Sequence, residues 1–297
     1  MISVIIPFYN EKQNLLILQE SLKHELGRLN QHYEIVFVDD GSTDGSKENI
    51  EKENKSVKLI SHRKRMGKGK ALNSGFKSSK GDIIFFMDAD MQDDPKEIPV
   101  FLEKLSEGHD FVIGWRKERR DPISKTLPSS LFNFFLLKLL LKSKFHDINC
   151  GFKLMKRQVL ESIPLYGDNY RFLPILALKE GFKATEIKVT HNPRKYGKSK
   201  YGFFRIFTGF IDTLSTYFVY RFSEKPLHFF GPVGALIFFA GFVITLYLGI
   251  GRLFFGIMLY NRPILQLGIL LIIVGLQVIM TGFLGDLIVY LSKKSKS

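Results

Sequence analysis

Short apolar blocks alternate with mixed, helix-like segments over the first 115 or so residues of the chain. Apolar runs with the length and β-branched content of buried strands lie at 3–7, 34–38, 57–61 and 81–87. Segments with helical patterns lie between or after them, at 11–29, 45–52, 70–78 and 95–105. Strands that alternate with helices form βαβ units, so this part of the chain predicts an α/β fold with a mostly parallel, Rossmann-like sheet.

Two longer apolar runs lie near the other end, at 229–251 and 263–285. Each is uncharged for about 23 residues, which is long enough to cross a hydrocarbon core of roughly 30 Å. A buried pair of helices in a soluble domain is the alternative. Basic residues are frequent before the first run and after the second, whereas the connection 252–262 holds two. The positive-inside rule therefore predicts an integral, multi-pass membrane protein with the N-terminal domain and both termini in the cytoplasm.

Two further apolar segments are less suited to crossing a membrane. Segment 129–141 is too short to span, and segment 201–222 is interrupted by Arg205, Asp212 and Arg221. A central Asp would cost roughly 2.5–3.5 kcal/mol in a spanning helix. Both segments are therefore predicted to be interfacial helices, which gives a domain at 1–225 followed by a transmembrane hairpin with a basic tail at 226–297.

The formal net charge of +14 restricts the class of partner. Such a surplus is typical of proteins that bind nucleic acid, an anionic membrane surface or a phosphorylated substrate. The cations cluster beside the apolar segments rather than along a recognition element, which favours membrane lipids and argues against nucleic acid. A single cysteine, Cys150, excludes a disulfide framework.

A pair of carboxylates ends the fourth predicted strand. Asp88 and Asp90 follow the apolar run 81–87 directly. In an open α/β sheet, ligands bind in the crevice beyond the carboxyl ends of the strands, so both carboxylates would face that crevice. Mg²⁺ or Mn²⁺ takes a few carboxylates and completes its coordination with water and substrate phosphates. A surface turn is the alternative, because the Asp-x-Asp pattern is common.

Two loops could bind a nucleotide. Segment 39–45 is acidic and rich in small residues, and it could hold a sugar or a base or could simply be a turn with Asp44 as a helix cap. Segment 63–70 places five cations beside two glycines, which suits a diphosphate, although a solvated basic turn has the same composition. Its order differs from the G-x-x-x-x-G-K-[ST] pattern of a P-loop.

Several motifs together resemble family 2 glycosyltransferases, in particular the dolichyl- or polyprenyl-phosphate sugar synthases, which include dolichyl-phosphate mannose synthase. The matching segments follow the family's order and spacing over about the first 225 residues, at 4–11, 38–44, 67–71, 87–92, 147–153, 169–174 and 193–202. The resemblance implies a GT-A catalytic domain. Lys153 stands where arginine is frequent in the family. The Gln-x-x-Arg-Trp signature of processive relatives is absent from the sequence, which implies transfer of one sugar per cycle.

The resemblance also implies roles for individual residues. The nucleotide sugar is expected to contact the set Pro7, Tyr9, Glu11, Asp39, Asp40, Lys68 and Asp88. The metal, Mg²⁺ or Mn²⁺, is expected at Asp88, Asp90 and Gln92. The lipid phosphate is expected at Arg116, Ser129, Arg194 and Lys198. Asp90 and Asp147 are the expected catalytic residues, with Asp147 either orienting or deprotonating the acceptor, or only capping or pairing with a lysine.

The implied reaction is inverting transfer of a single sugar from a UDP- or GDP-hexose to a polyprenyl or dolichyl phosphate. The product would be a lipid-linked sugar donor for cell-envelope or protein glycosylation. The alternative is a catalytically inactive membrane scaffold or a lipid-sugar carrier with the same fold. The sequence leaves open which sugar is used and whether the chain forms a homo-oligomer.

Overall fold

The computed structural model describes residues 1–50, 56–117, 144–193, 215, 217, 218 and 221–294, apart from 257, 259, 261 and 262. The chain divides into two compact units, Met1–Thr216 and Tyr217–Ser297. The predicted interfacial segments 129–141 and 201–222 lie wholly or mostly outside the described residues.

The first half of the N-terminal unit alternates strands and helices as the apolar pattern predicts. Its elements are β1 (Ile2–Phe8), α1 (Lys12–Gly27), β2 (Tyr33–Asp39), β3 (Val57–Ser61), α2 (Lys68–Ser78) and β4 (Ile83–Phe86). The helix predicted at 45–52 is wrong over its described part, where only a 3₁₀ turn at Lys47–Asn49 forms. Gly45 has a φ of +78°, and the Asp44 carboxylate accepts a hydrogen bond from the Ser46 backbone N–H at 3.0 Å. These are the local interactions of a turn, and they compete with a helix.

The second half contains shorter elements. A 3₁₀ turn at Pro95–Glu97 continues into α3 (Ile98–Ser106), as predicted for a helix starting at Pro95, and Asp94 caps the turn by accepting from the Lys96 N–H at 3.1 Å. The remaining elements are β5 (Phe111–Trp115), β6 (Lys153–Lys156), α4 (Arg157–Ser162), α5 (Leu173–Lys179) and β7 (Ala184–Lys188).

The seven strands form one sheet in the order β3-β2-β1-β4-β6-β5-β7. β6 is antiparallel to both of its neighbours, and the other described pairs are parallel. The predicted mostly parallel α/β sheet is therefore confirmed. The chain leaves β1 toward β2 and β3, then returns to the other side of β1 as β4. This reversal makes the carboxyl ends of β1 and β4 the point where ligands bind in open α/β sheets.

Buried side chains of the central strands hold this sheet against its helices. Every residue of β1 is buried, as is nearly all of β2. Phe85, Phe101 and Phe152 form a cluster with ring centroids 4.6–5.2 Å apart in edge-to-face geometry. Because this cluster joins α3 to β4 and to the residue before β6, it fixes the strand ends that carry the candidate site.

The second unit is a helical hairpin of α6 (Leu227–Phe255) and α7 (Pro263–Lys294). Its described residues include two helices long and apolar enough to cross a membrane, and these contain the predicted spans 229–251 and 263–285. Glycines at seven-residue spacing line the contact, at 234 and 241 on α6 and at 268, 275 and 282 on α7. A Cβ at Gly241 would lie 2.5 Å from the Gly268 carbonyl oxygen, so the two backbones touch.

Candidate active site

Most of the predicted site residues lie at one edge of the sheet. Pro7 lies in β1, with Tyr9 and Glu11 just beyond it, and Asp39 ends β2. Asp88, Asp90 and Gln92 follow β4, Lys68 opens α2, and Arg116 follows β5. The carboxyl ends of these parallel strands share an edge, so the fold places the predicted donor, metal and acceptor residues on one crevice. Ser129, Arg194 and Lys198 lie outside the described residues, and their roles stay predictions.

The Asp88 carboxylate is paired with a cation. Lys68 Nζ donates a short hydrogen bond to Asp88 Oδ1, and the Asp88 side chain is about one-third exposed (34%). Burial opposes ionisation of Asp88, but the Lys68 ammonium outweighs it, and the pKa of Asp88 is held below its usual range. Gly151 backs onto the same carboxylate, because a Cβ there would lie 2.5 Å from Asp88 Oδ2. The backbone at Gly151 thus lies directly against the ionised Asp88 carboxylate.

A tight turn carries Asp90 and Gln92. Met91 has a φ of +61°, which is rare for a residue with a side chain and concentrates at functional turns. The Gln92 backbone N–H donates to Asp90 Oδ1 at 3.2 Å, so the turn also orients the second carboxylate.

A histidine far along the chain fixes the Gln92 side chain. Gln92 Nε2 lies 3.1 Å from His191 Nε2 and 3.4 Å from the Asn192 carbonyl oxygen. Because a carbonyl oxygen only accepts, the NH₂ end of the amide faces this pair, and His191 Nε2 is the unprotonated nitrogen. The amide oxygen of Gln92 is then turned away, available as a ligand. Sequence reasoning missed His191, which is 99 positions from its partner.

Asp93 is a buried carboxyl beside the predicted metal ligands. Its residue is 5% exposed. Burial, followed by the negative charge of Asp88, raises the pKa of Asp93 to about 8. The sequence analysis did not single it out, since nothing in the motif distinguishes it from its half-buried neighbour Asp94.

Asp39 and Asp40 bind backbone donors of the protein itself. Asp39 Oδ1 accepts from the Ser42 N–H at 2.8 Å. Asp40 accepts from the Met66 and Gly67 N–H groups at 2.8 and 2.9 Å, and its Oδ1 lies 3.0 Å from His62 Nδ1. Asp40 thus shapes the basic loop that leads into Lys68, in addition to any contact with a nucleoside.

Tyr9 and Glu11 face the same loops. The Arg65 guanidinium lies 4.5 Å from the centroid of the Tyr9 ring, a cation–π contact. Asn14 Nδ2 donates to Glu11 Oε2 at 2.7 Å, and the Glu11 N–H donates to Ser46 Oγ at 2.8 Å. These contacts hold an aromatic ring and a carboxylate at the end of β1, where the sequence predicts the nucleoside.

Arg116 and Asp147 form a bidentate ion pair. Arg116 Nε donates to Asp147 Oδ2 at 2.7 Å and its Nη2 to Asp147 Oδ1 at 3.2 Å. Asp147 is 2% exposed. Burial opposes the charge on Arg116, but the Asp147 carboxylate outweighs it and raises the pKa of the guanidinium further. The positive charge of Arg116 also helps lower the pKa of Asp88, so the two ion pairs lie within electrostatic reach of each other.

A mostly parallel sheet that reverses at β1 and β4, with two carboxylates one residue apart beyond β4, is the arrangement of GT-A glycosyltransferases. Residues 3–163 match the sequence profile described as Glycosyl transferase family 2. The chain belongs to this family, and the predicted family, GT-A fold and enzyme class are confirmed.

Curated relatives cover nearly the whole chain. Dodecaprenyl-phosphate galacturonate synthase from Rhizobium johnstonii is 32% identical over 295 residues, which is 97% of this chain and 87% of the relative. Undecaprenyl-phosphate 4-deoxy-4-formamido-L-arabinose transferase from Proteus mirabilis is 32% identical over 292 residues, covering 97% and 88%.

Solved structures share the fold at lower identity. Glucosyl-3-phosphoglycerate synthase from Mycobacterium tuberculosis, crystallised with Mn²⁺ and UDP-glucose, superposes with a TM-score of 0.58 at 20% identity and covers 73% of this chain and 78% of that one. A crystal of the same enzyme with Mg²⁺ and UDP gives a TM-score of 0.57 at 20% identity, with coverage of 73% and 79%.

Proposed function

We propose that this glycosyltransferase transfers one hexose, with inversion, from a UDP- or GDP-sugar to the phosphate of a polyprenyl or dolichyl lipid. The observation that carries the proposal is that two ion pairs lie at the same crevice. Lys68 pairs with Asp88, and Arg116 pairs with Asp147. One pair suits the donor diphosphate and the other suits an acceptor phosphate. Two relatives that match along nearly the whole chain are named for polyprenyl-phosphate sugars, which supports the acceptor class.

The site fits a divalent cation, Mg²⁺ or Mn²⁺, held by Asp88, Asp90 and Gln92. The Asp88 carboxylate is ionised beside Lys68, and the Gln92 N–H orients the Asp90 carboxylate. Among the described residues no three His, Cys, Asp or Glu side chains meet in a metal-binding group. This agrees with a cation that takes few protein ligands and several oxygens from substrate and water. When bound, the cation supplies neutralisation of charge that develops on the leaving diphosphate.

The residues around the crevice would bind and orient the donor. Lys68 would donate to the diphosphate from the N-terminus of α2, which attracts anions. Pro7, Tyr9, Glu11, Asp39 and Asp40 would enclose the nucleoside, with Asp40 also holding the loop that carries the cations.

The acceptor phosphate would bind the Arg116 side of the crevice, together with Ser129, Arg194 and Lys198. Charge-assisted contacts from arginine to phosphate are strong and directional. A phosphate monoester, with a second pKa of about 6, is largely dianionic at neutral pH, so the attack needs little help from a base. Asp147 is then best suited to aim Arg116, since both of its oxygens accept from that guanidinium.

The proposed location follows from the apolar helices. Residues 226–297 would form the transmembrane hairpin, and residues 1–225 would form the catalytic domain. The catalytic domain and both termini would face the cytoplasm, where nucleotide sugars are made and where basic flanks are retained. The membrane would supply the lipid acceptor.

A substrate panel tests the proposal. The full chain in membranes is incubated with polyprenyl phosphate, Mg²⁺ or Mn²⁺ and labelled UDP- and GDP-hexoses or hexuronates, and the organic phase is chromatographed. The proposal predicts label in a lipid that mild acid hydrolyses to the free sugar. No labelled lipid with any donor, in a preparation that still binds a nucleoside diphosphate, would indicate a scaffold or carrier instead.

A further inference from the structure

A lysine is buried beneath the crevice, outside the proposed donor, metal and acceptor contacts. Lys153 opens β6 and is 2% exposed. Its Nζ donates to the Ile148 carbonyl oxygen at 3.1 Å and to the Tyr170 carbonyl oxygen at 3.0 Å. Burying an ammonium is costly unless hydrogen bonds compensate it, so these two carbonyls are strong anchors for the side chain.

The first anchor belongs to the loop of the acceptor side. Ile148 follows Asp147, whose carboxylate holds Arg116. The Asn149 N–H donates to Asp147 Oδ1 at 3.2 Å, so this short segment folds around the same carboxylate. A shift of the Ile148 carbonyl would therefore move the group that aims Arg116.

The second anchor belongs to the turn that covers the donor side. Tyr170 lies in the 3₁₀ turn Asn169–Phe172, and its ring centroid is 5.3 Å from Lys68 Nζ. The segment that leads into this turn is packed tightly on α2, because a Cβ at Gly69 would lie 1.8 Å from the Gly167 carbonyl oxygen and 3.4 Å from the Tyr170 ring. A shift of the Tyr170 carbonyl would move the ring that lies against Lys68.

Charged groups from each side of the crevice act on Lys153. Burial, followed by repulsion from Lys68, lowers the pKa of Lys153 to about 7, whereas Cys150, Asp147 and Asp88 oppose this decrease. The Tyr170 ring lies 5.9 Å from Nζ. Lys153 thus interacts electrostatically with members of both ion pairs.

We propose that Lys153 is a positioning residue that joins the acceptor loop at Ile148 to the donor-side turn at Tyr170, and so sets the distance between the two bound phosphates. This inference rests on the proposed transfer to a lipid phosphate. Near-attack geometry is sensitive to displacements of about 1 Å, which can change a rate about 100-fold. A residue that fixes this distance from beneath the crevice would therefore act mainly on the rate of transfer.

The test compares Lys153→Met with Lys153→Arg in the full chain. Methionine keeps an unbranched side chain of similar length without donors, and arginine keeps the donors. We expect Lys153→Met to lower kcat at least about tenfold and to raise the KM of the lipid phosphate, with partial rescue by Lys153→Arg. Thermal unfolding and nucleoside diphosphate binding show whether each variant is folded.

Lys58→Met is the matched control. Lys58 Nζ also donates to two oxygens, Glu34 Oε2 at 2.6 Å and the Ser78 carbonyl oxygen at 3.3 Å, but these lie away from the crevice. If Lys153→Met only lowers thermal stability, as Lys58→Met should, with kcat and both KM values of the folded protein unchanged, the inference is wrong. If the wild type itself transfers no sugar to the lipid, the proposed function fails first.

If Lys153→Met does not fold, the inference is tested instead by a double-mutant cycle that uses Lys153→Arg. Lys153→Arg and Asp147→Asn are combined, and the effects on the KM of the lipid phosphate are compared. If the double variant raises this KM by less than the product of the two single fold-changes, Lys153 acts through Asp147, as proposed. Fully multiplicative effects contradict it.

Discussion

At the scale of single residues, His191 controls which atom of Gln92 faces the crevice. Removing a residue that orients a metal ligand typically costs tenfold or more in metal affinity, so we expect His191→Ala to weaken Mn²⁺ binding about tenfold. Titration of Mn²⁺ by electron paramagnetic resonance, with a nucleoside diphosphate present, measures this directly.

Two variants sharpen that measurement. His191→Gln keeps an acceptor for the Gln92 amide and should recover part of the affinity. His24→Ala removes a histidine whose side chain is 68% exposed and should have no effect. Unchanged Mn²⁺ affinity in His191→Ala would show that Gln92 is oriented by other contacts or is not a ligand.

Asp147 can be assigned as an orienting group or as a base by kinetics. Because its carboxylate accepts from Arg116 on both oxygens, Asp147→Asn should raise the KM of the lipid phosphate roughly ten- to hundredfold and leave most of the turnover rate at saturation. Initial rates against acceptor concentration, in micelles of an uncharged detergent, give both constants. If turnover at saturating acceptor instead falls about a hundredfold or more, the result would favour the base.

The contacts between these residues also show what could not be predicted from the sequence. The motifs named Asp88 and Lys68, but their direct pairing joins two positions 20 apart in different elements. His191 and Lys153 find partners through the folded chain, and no spacing or periodicity brings His191 to Gln92. Such contacts follow from the tertiary fold, which sequence patterns do not fix at this detail.

At the scale of elements, apolar runs were enough to predict β1, β2 and β4, because buried strands have no polar face. β3 was also predicted, although it is a mostly half-buried edge strand that contains Lys58. β6 was not predicted, since its four residues begin and end with lysine and the first lysine is buried. The segment 45–52 had a mixed pattern that suited a helix, but Gly45 and Asp44 form a turn there. Where the helical periodicity was weak, the local hydrogen bonds of the turn thus determined the structure of the segment.

The helical hairpin depends on glycines at the contact of α6 and α7. A Cβ at Gly275 would lie 2.4 Å from the Phe238 backbone nitrogen. We expect Gly275→Leu to destabilise the hairpin by about 1–3 kcal/mol or more, as overpacking does. Thermal unfolding and size-exclusion chromatography in detergent measure the loss. Gly249→Leu on α6, where a Cβ meets nothing within 4 Å, is the control, and equal behaviour of the two variants would contradict this packing.

At the scale of the whole molecule, the proposed membrane topology can be tested by introducing one accessible cysteine. Native Cys150 is fully buried, so an impermeant maleimide should not label the wild type. Tyr260→Cys, in the connection between the two helices, should be labelled on intact cells because that connection is proposed to face outward. A reporter fused after Ser297 should be cytoplasmic. Labelling of Tyr260→Cys only after permeabilisation would reverse the orientation.

The central claim is that the crevice transfers a sugar to a lipid phosphate with the help of a divalent cation at Asp90. The most direct measurement is the initial rate of nucleoside diphosphate release by the purified full chain, with and without polyprenyl phosphate, using the donor that the panel identifies. We expect release that requires the lipid, equals the sugar found in the organic phase, and is abolished by EDTA or by Asp90→Asn in folded protein. Release that continues without the lipid, or at full rate in EDTA and in Asp90→Asn, would contradict the account.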